Sequence, residues 1–107
     1  MTIESSVPKQ LLLIEDSPAD ALFVQDLLEE LSERWVVTLA RTLAEGRVCL
    51  ACARFDVIVA DMHLPDSRPP ETWLRLREIA PRTPLIVLTG WVTPEHGVRA
   101  VRSGAQD

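Results

Sequence analysis

Apolar residues in this chain fall into short blocks, and the spacing within each block predicts a regular series of elements. Gln10–Ile14 is brief and nearly all apolar, the pattern of a strand covered on both faces. Ser17-Pro18-Ala19-Asp20 then opens a helix, with Ser17 as N-cap, Pro18 at the first helical position and Asp20 in an acidic first turn. Val24, Leu27, Leu28 and Leu31 follow at i, i+3, i+4 and i+7, which makes one apolar stripe. Trp35–Ala40 reads as the second strand. Thr42-Leu43-Ala44-Glu45 is a capping box for a second helix that runs to about Cys52. Val57–Asp61 is the third strand, and Leu64–Pro70 is a loop stiffened by three prolines. The third helix covers Glu71–Ala80, with Trp73, Leu76 and Ala80 inward. Leu85–Leu88 is a fourth strand, and Thr93-Pro94-Glu95 caps a fourth helix that stops at Gly104.

The resulting order, β-α-β-α-β-α-β-α, implies an α/β fold. Strands that alternate with helices over short connections make a doubly wound parallel sheet with helices on both faces. With 107 residues, no internal repeat and no low-complexity tract, the chain forms one domain. Met1–Pro8 is expected to be a loose arm.

Charge and cysteine content narrow the function. The net charge of −5 argues against nucleic-acid binding, which usually needs a basic face. No apolar run has the length of a membrane span and no signal peptide is visible, so a cytoplasmic location without membrane contact is expected. Cys49 and Cys52 form a C-x-x-C late in the second helix rather than at a helix start. Two ligands also make an incomplete zinc set, so both are read as small buried apolar residues.

Candidate chemistry sits where apolar runs end on acid. The first strand finishes on Glu15-Asp16 and the third on Asp61. The carboxyl edge of a parallel sheet is where ligands collect. Three carboxylates gathered there repel one another, and a hard cation such as Mg²⁺ removes the conflict. The pattern suggests a metal site with one carboxylate free to react.

These residues resemble the receiver domain of two-component response regulators over nearly the whole chain. The matching pieces are Leu12-Leu13-Ile14-Glu15-Asp16 with Ser17-Pro18-Ala19-Asp20, then Asp61-Met62-His63-Leu64-Pro65-Asp66-Ser67, Leu88-Thr89-Gly90, and Gly104-Ala105-Gln106-Asp107. The resemblance implies a flavodoxin-like three-layer sandwich of strand order 2-1-3-4-5. It makes Asp61 the phosphoacceptor, Asp16 a direct Mg²⁺ ligand, Glu15 a ligand acting through water, and the backbone carbonyl of His63 the last protein ligand. Thr89 would bond the phosphoryl group and move when it arrives. The implied partner is a sensor histidine kinase or a phosphotransfer protein, and the domain is a signalling switch rather than an enzyme, with self-phosphorylation from small phosphodonors allowed.

The chain departs from the family pattern after Gly104-Ala105-Gln106-Asp107, where relatives continue into a fifth strand with an aromatic and a lysine, and then a fifth helix. The expectation is therefore a C-terminally truncated receiver domain over residues 1–107, with strand order 2-1-3-4. Leu85–Leu88 would then be an unpaired edge, through which two copies could form a homodimer. Arg68-Pro69-Pro70 replaces a small residue common in relatives, and Trp91 either shields the phosphoryl site or packs on its loop. A second reading is a phosphorylation-incompetent scaffold acting by protein contact, which the absent lysine favours. An aspartyl phosphatase fits less well, because His63 rather than an acid lies two residues after Asp61. Asp66 and Ser67 are read as turn residues.

Overall fold

Leu11–Ile14 and Val57–Ala60 carry no polar side chain, and the chain places them side by side at the centre of a sheet with both faces covered. A computed structural model describes residues 7–88 and the backbone of residues 101–102. The elements are β1 (Lys9–Ile14), α1 (Pro18–Glu29), β2 (Trp35–Ala40), α2 (Leu43–Cys52), β3 (Val57–Asp61), α3 (Glu71–Ile79), β4 (Leu85–Leu88) and β5 (Val101–Arg102). Strand order is β2-β1-β3-β4-β5. The first four strands are parallel, and β5 is antiparallel to β4.

Period-two alternation divides the core between the faces. Leu12, Ile14, Ile58 and Ala60 pack with Leu43 of α2, Leu64 of the following loop and Leu76 of α3. Leu11, Leu13, Val57 and Val59 pack with Ala21 and Val24 of α1. The helix starts follow the sequence signals. Ser17 Oγ accepts the Asp20 N–H at 3.3 Å, and Thr42 Oγ1 accepts the Glu45 N–H at 3.0 Å. The return bond of this second cap comes from the Arg41 N–H, 2.8 Å from Glu45 Oε1. Gly46 lets α2 lie close on β1, since a Cβ there would stand 2.7 Å from Ile14 Cδ1.

Four expectations need correction. The stripe on α1 is narrower than its spacing suggests: Val24 is buried and Leu28 half-buried, but Leu27 is 41% exposed and Leu31 lies beyond the helix end at 52%. The inward face runs instead through Ala21, Val24 and Leu28, because α1 stops at Glu29 and meets the sheet with one side only. The fourth helix does not include Val101–Arg102, which are strand, and the rest of that expected helix lies outside the described residues. For the same reason β4 is not an unpaired edge along its length. Val87 and Leu88 register against Arg102 and Val101, a pairing that satisfies outward backbone groups and suits a β-branched valine. Finally, Cys52 is exposed and Cys49 half-buried, so only Cys49 packs against the core; α2 turns its Cys52 side to solvent.

Candidate functional site

Register brings the acids together. Ile14 of β1 lies opposite Ala60 of β3, so the next residues, Glu15 and Asp61, leave the sheet side by side at its carboxyl edge. Ser17-Pro18 then starts α1 at once, which turns the chain and keeps Asp16 beside them. One carboxylate oxygen from each of Glu15, Asp16 and Asp61 lies within 4.8 Å of the other two. Glu15 and Asp61 are buried, at 3% and 4% exposure, whereas Asp16 faces solvent.

Backbone amides aim the buried pair. The Ser17 N–H donates to Glu15 Oε2 at 3.1 Å, and the His63 N–H donates to Asp61 Oδ1 at 2.9 Å. Burial still outweighs these bonds. Desolvation, reinforced by the Asp61 and Asp20 charges, pushes the Glu15 carboxyl up to about 8. Asp61 is also raised, again chiefly by burial, and its hydrogen bond with Glu15 acts in the opposite direction. Without a cation, burial of two neighbouring carboxyls therefore favours their neutral forms. This donor set fits a hard divalent cation: three convergent carboxylates, two of them short of compensating charge.

The loop after Asp61 is clasped from below. Thr72, fully buried on α3, has its Oγ1 2.8 Å from the Met62 carbonyl and 2.6 Å from Ser67 Oγ. A carbonyl only accepts, so the single Thr72 proton goes to Met62 and the Ser67 hydroxyl donates to Thr72. Asp66 extends the clasp to α2. Its two carboxylate oxygens accept the Leu43 and Ala44 N–H groups at 2.9 and 3.0 Å; burial is the largest single influence and raises its carboxyl, but these two bonds and its own backbone N–H together hold it below the ordinary range. Asp66 and Ser67 do lie in a turn, closed by paired Leu64 and Ser67 backbone bonds, but their bonds to α2 and to Thr72 go beyond what the sequence showed. A usable signal was present: α2 begins with amides that need acceptors, and a hydroxyl on the inward stripe of α3 must find a partner.

Of the residues singled out from the sequence, Glu15, Asp16 and Asp61 converge. The His63 side chain is exposed, and its amide serves to anchor Asp61. Thr89, Gly90, Trp91 and Gly104–Asp107 lie outside the described residues.

Comparison with known proteins gives the family and the fold. A family model described as the response regulator receiver domain matches residues 11–107. The cell cycle response regulator CtrA of Brucella ovis is 33% identical over 98 residues, covering 92% of this chain and 41% of that protein. The response regulator protein PilR of Pseudomonas aeruginosa is 29% identical over 98 residues, covering 90% of this chain and 21% of PilR. The chain thus spans well under two thirds of these relatives. Among solved structures, a CheY-like receiver domain protein from Methanospirillum hungatei JF-1 superposes with a TM-score of 0.67 at 25% identity, covering 86% of this chain and 72% of that one.

Proposed function

Because the chain belongs to the response regulator receiver domain family, a signalling family of two-component systems, we propose that it accepts a phosphoryl group on Asp61 from a histidine kinase or a phosphotransfer protein in the cytoplasm. The observation that carries this reading is the convergence of Glu15, Asp16 and Asp61 within 4.8 Å at the end of two adjacent strands.

Each residue has a task in the transfer. Asp61 is the nucleophile: one carboxylate oxygen forms a bond to phosphorus as the bond from phosphorus to the donor nitrogen breaks, and that electron pair leaves with the donor imidazole. The His63 N–H fixes the rotation of the Asp61 carboxylate before the donor arrives. Asp16 and Glu15, with Asp61 and the backbone carbonyl of His63, would hold Mg²⁺. When bound, the ion supplies positive charge against the phosphoryl oxygens and keeps the acids ionised. Glu15 must release its proton for this, so loading is favoured as pH rises toward 8. Thr89, next after the last residue of β4, would bond the incoming phosphoryl group. The product adds nearly two negative charges at the sheet edge, enough to order or displace a neighbouring segment.

Intact mass after incubation with Mg²⁺ and a small phosphodonor tests the reading. The wild-type chain is expected to gain one phosphoryl group, and Asp61→Asn none. A wild-type chain that gains nothing from any donor at saturating Mg²⁺ would instead be a scaffold acting by protein contact.

A further inference from the structure

We propose that two copies of this chain pair through β2, antiparallel about a two-fold axis at Val37, to join their sheets. The strand Trp35–Ala40 lies at the far edge of the sheet from β4 and contains neither charge nor proline. Natural edges usually carry such features to prevent pairing.

Hydrogen bonding shows which groups the edge offers. The Lys9 N–H donates to Arg34 O and the Glu15 N–H to Ala40 O, both at 2.9 Å, so even-numbered residues of β2 face β1. The N–H and C=O of Trp35, Val37 and Leu39 therefore point outward, and no backbone partner meets them among the described residues. An antiparallel partner uses such groups in reciprocal pairs. With Val37 on the axis, Val37 pairs with Val37 of the second copy, and Trp35 with its Leu39.

Three further observations favour that register. First, Leu39 is 39% exposed, and this pairing sets it against the indole of the second copy on the face that α1 covers. Second, an open groove of about 540 Å³ lies on that same face beside the edge; Trp35, Val37, Leu28 and Leu31 form its apolar part and Glu29, Glu33 and Arg34 its charged part, and the incoming Leu39 stands next to it. Third, the flanks are complementary: Glu33 stands just before the strand and Arg41 just after it, so an antiparallel partner brings opposite charges together at both ends. Both are exposed, and neither takes part in an ion pair among the described residues. A symmetric contact of this kind closes on itself as a dimer and leaves no open edge at β2.

Sedimentation velocity on the full chain, from micromolar concentrations to about 1 mM, tests the proposal, because an edge contact belongs to the small end of interface sizes. A reversible dimer is expected. Leu39→Lys should weaken it at least tenfold while far-ultraviolet circular dichroism stays unchanged. Glu33→Arg and Arg41→Glu should each weaken it about threefold, and the double variant should restore it. A monomer throughout the range, a dimer indifferent to Leu39→Lys, or a double variant no better than the singles overturns the proposal.

Discussion

Two buried polar pairs sit within a few residues of each other, and their chemistry is opposite. Thr72 and Ser67 are neutral, fully partnered, and lock the loop after β3 onto α3. Glu15 and Asp61 are buried to a similar degree, yet share too little positive charge, and both carboxyls are driven upward. A satisfied hydroxyl pair adds rigidity, while a buried acid pair stores a demand for a cation. The chain after β3 thus joins a firmly held loop to a buried acid pair whose electrostatic need is unmet.

Substitutions separate the two pairs most sharply at the hydroxyls. Thr72→Val keeps the volume but leaves the Met62 carbonyl and the Ser67 hydroxyl unpaired, and should lower stability by about 2–3 kcal/mol in urea unfolding. A change within 0.5 kcal/mol would show that the clasp is dispensable.

The acid pair should respond with the other sign. Because the folded-state value for Glu15 lies above its ordinary 4.5, the folded chain holds more protons than the unfolded chain between about pH 4.5 and 8. Cation-free stability should therefore fall as pH rises through that window. Glu15→Gln should stabilise the cation-free protein at pH 8 by about 1–2 kcal/mol and have little effect at pH 5. Equal effects at both pH values would contradict the account of burial given above.

Adding Mg²⁺ should close the gap between the two regions. At pH 8 a concentration ten times the dissociation constant stabilises the wild type by about 1.4 kcal/mol, readable as a rise of several degrees in Tm. Asp61→Asn should show a much smaller rise. The smallest effect is expected at Asp66, whose carboxylate is exposed. Asp66→Asn keeps an acceptor but loses the charge on the α2 amides, for a loss of about 0.5 kcal/mol. Asp66 titrates below the usual carboxylate range, so its contribution is present at neutral pH and fades on acidification.

How legible all this was in the sequence depended on the range of the interaction. β1 and β3 could be read because their apolar runs are continuous, and the Ser17 and Thr42 caps because capping is local. The acid cluster could be read because parallel strands that end on acid meet at one edge. The exposed side of α1 could not, since spacing gives a stripe but not how much of it a neighbour covers. Nor could the pairing of β4 with Val101–Arg102, which joins a strand to residues whose i, i+3 spacing with Val98 suggests helix. Thr72 and Asp66 escaped because their partners lie on other elements, and hydrogen bonds between elements leave no period in the chain.

The contact of Gly46 on Ile14 carries an unexpected lesson for protein engineering. Alanine is the routine remedy for a glycine inside a helix, worth up to about 1 kcal/mol. At this position the added methyl would wedge against Ile14, which is wholly enclosed and immediately precedes Glu15. A stabilising campaign that treats α2 as an ordinary outer helix would thus press on the strand that carries Glu15, from a position outside the acid cluster.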